Sequence, residues 1–105
     1  MTDAVLVLTT LPNSEAAAEL ANRLVSEKLA ACANILPALR SIYRWQGKVQ
    51  DENEVLVLLK TQVRQYEALK SRILALHPYD LPEVIAIPVE RGHQAYLDWI
   101  VKETT

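Results

Sequence analysis

Apolar positions along this chain keep two rhythms in turn. Ala4 to Thr10 (A-V-L-V-L-T-T) is short, rich in β-branched residues and closed by Pro12, which predicts a buried strand. Ala17, Leu20, Ala21, Leu24, Val25 and Leu29 then recur at helical spacing, with Glu19, Arg23, Glu27 and Lys28 on the opposite side. Asn13 or Ser14 caps this helix, and Glu15 sits in its first turn, where the helix dipole favours an anion. The helix is expected to end near Leu29. Ala31 to Leu36 predicts a second strand, interrupted at Pro37, which cannot donate to a ladder and so marks a bulge or an edge. The strand resumes through Ile42, Tyr43, Arg44 and Trp45. Gln46-Gly47 reads as a hairpin turn, because Gly tolerates the positive φ that tight turns need. Lys48 to Thr61 is the third strand, kinked or exposed at Asp51-Glu52-Asn53. Gln62 opens a second helix, with Tyr66, Leu69, Ile73 and Leu76 on one face. It stops before Pro78, since a residue preceding proline disfavours helix. Glu83 to Glu90 is the fourth strand, broken by Arg91-Gly92. A short final helix follows, with Tyr96, Leu97, Trp99, Ile100 and Val101 as candidates for burial.

The order is β-α-β-β-α-β plus a C-terminal helix. Its first six elements follow the split βαβ, ferredoxin-like pattern, an α+β class with both main helices on one face of the sheet. The strands go further than that pattern requires. Val5-Leu6-Val7-Leu8, Val55-Leu56-Val57-Leu58-Leu59 and Val84-Ile85-Ala86-Ile87 do not alternate, so they are apolar on both faces. Either another subunit covers the second face, or the third helix of the same chain wraps it. Another subunit is the simpler cover, because little helix is left over. The long hairpin from Ser41 to Lys60 is expected to reach a neighbouring subunit, with Tyr43 and Trp45 as its aromatic pair.

Composition narrows the picture. The chain has 105 residues, one domain's worth over 1–105, and half of them are hydrophobic, enough for a core. A formal charge of -2 suggests no surface for nucleic acid. No apolar run approaches the length of a membrane span, and Met1-Thr2-Asp3-Ala4 shows no signal-peptide pattern. A single cysteine forms no internal disulfide and fits a reducing compartment, so a cytoplasmic location is expected.

Chemistry-bearing residues are few. Cys32 lies within an apolar strand, where a lone thiol is either a small hydrophobe or a ligand. His77, in L-H-P-Y-D-L-P-E, lies at a helix end, either capping the last carbonyls or binding metal near Tyr79, Asp80 and Glu83. His93 reads as solvent-facing. With no C-x-x-C and no H-x-x-x-H, any metal site needs ligands from separate segments or subunits. Nothing resembles a nucleophile elbow, a triad or a phosphate loop, so no enzyme is expected. Tyr43, Trp45, Lys48, Glu54 and Lys60 either line a small polar cleft or form a solvated hairpin with snorkelling lysines.

Four segments in register carry a resemblance: A-A-C-A-N-I-L-P, S-I-Y-R-W-Q-G-K-V, E-V-L-V-L-L-K-T and H-P-Y-D-L-P-E-V. In order and spacing they resemble the divalent-cation tolerance protein family, CutA, through essentially the whole chain. The resemblance implies a homotrimer of ferredoxin-like subunits, similar in architecture to the PII signal-transduction proteins, with the sheets packed inward. It implies a role in tolerance to divalent cations, with copper(II) or another divalent cation as ligand. Carried over by motif, His77 and Cys32 are the positions linked to metal. His77 is expected to be the main cupric ligand, since imidazole suits that ion. Some bacterial members carry a further cysteine near the end of the first strand. Here that region is Leu8-Thr9-Thr10, which weakens a thiolate copper site. Asn34, Ser41, Tyr43, Trp45, Glu54, Lys60, Tyr79 and Glu83 also match the family pattern and are placed around clefts between subunits.

Other proteins of this fold class are excluded by residues. A copper chaperone would carry C-x-x-C after its first strand, where this chain has Thr9-Thr10-Leu11-Pro12. An RNA-recognition module would carry stacking aromatics on its central strands, and Val55 to Lys60 has none. Two functions remain: a metal-binding trimer without catalysis, and a PII-like sensor of a small anionic ligand with Arg44, Lys48 or Lys60 at a subunit cleft.

Overall fold

The computed structural model describes residues 2–105. Four strands, β1 (Ala4–Leu11), β2 (Cys32–Trp45), β3 (Lys48–Gln62) and β4 (Ile85–Pro88), form one antiparallel sheet in the order β2-β3-β1-β4. Helices α1 (Ser14–Ser26) and α2 (Tyr66–Leu76) pack on one face, and α3 (Gln94–Glu103) follows β4. This is the split βαβ arrangement expected from the element order.

Several boundaries differ from expectation, each for a local reason. Helix α1 stops at Ser26, not near Leu29. Lys28 takes φ 62°, its amide returns to the Val25 carbonyl, and the Leu29 amide returns to that of Leu24. That is a Schellman ending with lysine where glycine is usual. Asn13 is the N-cap, its Oδ1 accepting from the Ala16 amide at 2.8 Å. At Pro37 the expected bulge is present on an edge strand: pairing lapses between Leu36 and Leu39, with Ala38 at φ 62°, while β2 continues through it. Gln62 does not open a helix. It ends β3 with its side chain buried, donating from Nε2 to the carbonyls of Val101 and Thr104 and to Thr104 Oγ1. A single 3-10 turn, Val63–Gln65, leads into α2. Tyr96 and Trp99 are not buried, being 40% and 39% exposed, while Leu97 and Ile100 are.

Strand parity separates two apolar faces. Val5, Val7, Leu11, Val55, Val57 and Leu59 face α1 and α2, meeting Leu20, Leu24, Leu69 and Ile73. The other face carries Leu6, Leu8, Leu56 and Leu58, all half-buried, with Ile85 and Ile87 more open. Helix α3 covers one end of it, where Leu97 and Ile100 pack with Ala4, Ala31 and Val89. Among the described residues nothing covers the rest of that face.

β1 pairs with β3 only from Val55 onward. Beyond that point Leu39–Trp45 and Lys48–Glu54 pair with each other alone, a two-stranded arm that stretches the molecule to 44 × 25 × 23 Å. Trp45 pairs with Lys48 across the turn. Gln46 and Gly47 have φ 50° and 79°, the doubly left-handed geometry of a type I′ hairpin.

Candidate functional site

The bulge in β2 changes which numbering parity faces each side of the sheet. Before it, Cys32, Asn34 and Leu36 lie opposite Lys60, Leu58 and Leu56, on the face away from α1 and α2. One extra residue on β2 then shifts the alternation. Ser41 and Tyr43 come to lie opposite Glu52 and Gln50, on that same face, although they are odd-numbered. Glu52 and Glu54 share it by strand parity.

Along the arm these groups border an open cleft of about 820 Å³. Ser41, Tyr43, Trp45 and Glu54 come from the arm, and Tyr79 and Glu83 from the loop after α2. Those are six of the residues placed at a cleft from the sequence. Asn34 and Lys60 are not among them and sit further along the sheet. There the Lys60 ammonium donates to Tyr96 Oη at 3.2 Å and lies 5.5 Å from the Tyr96 ring centre. Thr10, Gln50, Glu52, Asp80 and Leu81 also border the cleft, and the sequence reading did not assign them to it. The signal for Glu52 was available, since it lies two residues from Glu54 and shares its face.

Two phenol–carboxylate pairs hold the cleft together. Tyr79 Oη donates to Glu54 at 2.8 Å, and Tyr43 Oη donates to Glu52. The bond to Glu52 pushes the Tyr43 pKa up to about 12, with loss of solvent and the charges of Glu52 and Glu54 adding to it. Tyr79 is pushed up as well, first by burial and then by its bond to Glu54. Glu83 is raised above the usual carboxylate range, first by loss of solvent at its carboxyl and then by the charge of Glu54. Among the described residues no lysine, arginine or histidine lines the cleft.

His77 lies behind the cleft, 9% exposed. Its Nε2 donates to the Thr10 carbonyl at 2.9 Å, and its Nδ1 accepts the Tyr79 amide at 3.1 Å. Both ring nitrogens are therefore engaged, and the ring is the neutral Nε2–H tautomer. Burial lowers its pKa, against the Thr10 carbonyl and the Glu54 charge. The imidazole fastens the Pro78–Tyr79 segment to the end of β1. Cys32 is half-buried, with Sγ 3.8 Å from Asn34 Oδ1. It lies opposite Lys60, which in turn pairs with Leu6 of β1. His77 meets β1 at Thr10, about 13 Å further along the strand at ordinary rise. One chain does not bring Cys32 and His77 together. Among the described residues no three of His, Cys, Asp and Glu cluster as a metal site.

Residues 5–103 match the family described as CutA1 divalent ion tolerance protein. The divalent-cation tolerance protein CutA of Thermus thermophilus is 50% identical over 99 residues, covering 94% of this chain and 96% of that protein. A protein CutA, chloroplastic, from Arabidopsis thaliana is 47% identical over 95% of this chain, which spans only 55% of that longer protein. Among solved structures, the divalent cation tolerance protein of Thermus thermophilus superposes with a TM-score of 0.94 at 48% identity, covering 97% of this chain and 99% of that one. A protein from Archaeoglobus fulgidus described as periplasmic gives 0.94 at 35% identity, covering 97% and 99%. These relatives correct the expected cytoplasmic location. Relatives 47% and 46% identical are named for the chloroplast, and one of the same fold at 35% identity is described as periplasmic. A lone cysteine and the absence of a signal pattern do not fix a compartment.

Proposed function

The chain belongs to the CutA1 divalent ion tolerance family, and from that premise we propose that it takes part in the response to divalent metal ions, copper(II) among them, as a homotrimer that binds ions without catalysing a reaction. The observation that carries this reading is the sign of the charge in the cleft. Glu52, Glu54, Asp80 and Glu83 border it, and among the described residues no cationic side chain does. Such a cleft attracts cations and repels anions. That weighs against a PII-like sensor of an anionic ligand, whose basic groups would have to stand there. Lys60 is instead turned to Tyr96.

Absence of catalysis is supported by the same geometry. The Cys32 thiol meets an amide oxygen rather than a base, and His77 is occupied by backbone partners. Assembly is supported by the uncovered apolar face and by the two-stranded arm, since an isolated two-stranded ribbon is marginal in water.

An ion that draws on both His77 and Cys32 has to bridge subunits, and His77 must first release Thr10 or Tyr79. Binding is therefore modest in strength and weakens as pH falls through the histidine range. Calorimetric titration of copper(II) into wild type, His77→Ala and Cys32→Ser tests this, with light scattering for the mass. We expect three chain masses, copper binding in the wild type, weaker binding in His77→Ala and little change in Cys32→Ser. A wild type that takes up no copper, or that has the mass of one chain, rejects the reading. Loss in Cys32→Ser with retention in His77→Ala reverses the ligands.

A further inference from the structure

We infer that Tyr79 is a gate over His77 Nδ1, and that an incoming divalent ion displaces it and takes up the Glu54 carboxylate it releases. The inference rests on the metal reading above and names how that site opens.

Three contacts of one residue carry the argument. The Tyr79 amide donates to His77 Nδ1 at 3.1 Å, the two ring centres lie 4.8 Å apart, and Tyr79 Oη donates to Glu54 at 2.8 Å. The first occupies the lone pair that an ion needs, the second covers the imidazole, and the third occupies a carboxylate oxygen. A single outward swing of Tyr79 ends all three. The loop that bears it is otherwise loosely held. No helix or strand includes residues 78–83, and among the described residues none of them makes a backbone–backbone hydrogen bond. Their hydrogen bonds, among the described residues, are the two of Tyr79. Opening the loop therefore breaks two bonds and no ladder or helix, which puts it at the low-cost end of local opening.

The other ring nitrogen is no rival entrance. His77 Nε2 donates to the Thr10 carbonyl at 2.9 Å, and Thr10 belongs to β1, which β3 pairs along its whole length. A ligating histidine ordinarily donates its second N–H to such a carbonyl, which fixes the tautomer and aims the free nitrogen. Thr10 is thus the orienting partner, and Nδ1 the ligating atom. The charge of Glu54 acts on His77 and on Tyr79 alike, so the carboxylate that Tyr79 releases shares the site it uncovers. One imidazole nitrogen and one carboxylate oxygen suit copper(II). Among the described residues no third such side chain joins them, so one chain supplies two donors.

Copper(II) titration of the full chain by calorimetry, joined to hydrogen exchange of the amide at position 79, tests the gate. In the ion-free wild type that amide should be protected, and saturation with copper should speed its exchange. Tyr79→Phe keeps the ring and the amide and loses only the phenol bond. It should exchange faster without any ion and bind copper about tenfold more tightly, because the open form is more populated. Glu54→Gln still accepts from Tyr79, so protection should stay as in wild type while copper binds about tenfold more weakly. Tyr66→Phe, at the other end of α2, should match wild type in both measurements. Copper binding with undiminished protection at position 79 overturns the gate alone. So does a Tyr79→Phe variant that binds no more tightly, or a Glu54→Gln variant that binds as well as wild type. A wild type that takes up no copper overturns the metal reading and the gate with it.

Discussion

The imidazole of His77 donates through Nε2 to one backbone carbonyl and accepts through Nδ1 from one backbone amide, so protonation would remove the second bond. Burial keeps its pKa below the ordinary 6.5, against the Thr10 carbonyl and the Glu54 charge, which favour the cation. Below that ordinary value the unfolded chain takes up a proton that the folded chain resists. The contribution of His77 is thus complete above it and is lost as pH falls. Glu83 acts in the opposite sense, because its raised pKa lets the folded chain hold a proton longer, and only toward more acid pH. Urea unfolding from about pH 7.5 down to about pH 5 is expected to show wild type losing stability, with a shallower loss in His77→Gln. At neutral pH, His77→Ala should cost about 1–3 kcal/mol, since it leaves two backbone groups without partners. Equal pH profiles would show that His77 does not titrate with unfolding. The sequence placed His77 at a helix end and left open whether it capped the helix or bound metal. The contact its ring makes with Thr10, 67 residues away, is one that no local pattern reveals.

Local signals read best where the backbone itself is constrained. The turn at Gln46-Gly47 falls where expected, and both residues have positive φ. A Cβ on Gly47 meets nothing within 4 Å, so Gly47→Ala tests conformation alone. It should cost about 1 kcal/mol by thermal or chemical denaturation, whereas Gln46→Asn should add a few tenths. If Gly47→Ala is neutral, the turn relaxes without strain. The elements misread from sequence were those governed by distant partners. Gln62 looked like the start of a helix, yet its amide is held by the far end of α3. Pro37, by contrast, was read as marking a bulge or an edge, and it lies within a bulge of the edge strand β2. Lys28 ended α1 early in a conformation that glycine usually supplies, which propensity could not show.

For the molecule as a whole, the unalternating strands announced two apolar faces, and both are present. Sequence left open whether α3 or a neighbour covers the second face. α3 covers only one end of it, so the rest is left for a neighbour under the assembly proposed above. Trp45 stands near the end of the arm, 39% exposed, and offers a large aromatic surface to a partner. Trp45→Ala is expected to shift the sedimentation profile toward single chains on dilution and to make the melting temperature depend on concentration. An unchanged profile and melting temperature would show that the arm does not anchor the assembly. The cleft was legible in part: the residues were named, but the change of numbering parity across the bulge was not. That change rests on one additional residue between Leu36 and Leu39. A chain lacking Ala38 would present the same side chains on the same sides through an unbroken ladder, whereas one with a residue added there would have to widen the irregularity or turn the arm over. In terms of inheritance, this strand can survive a loss at that point far more easily than a gain.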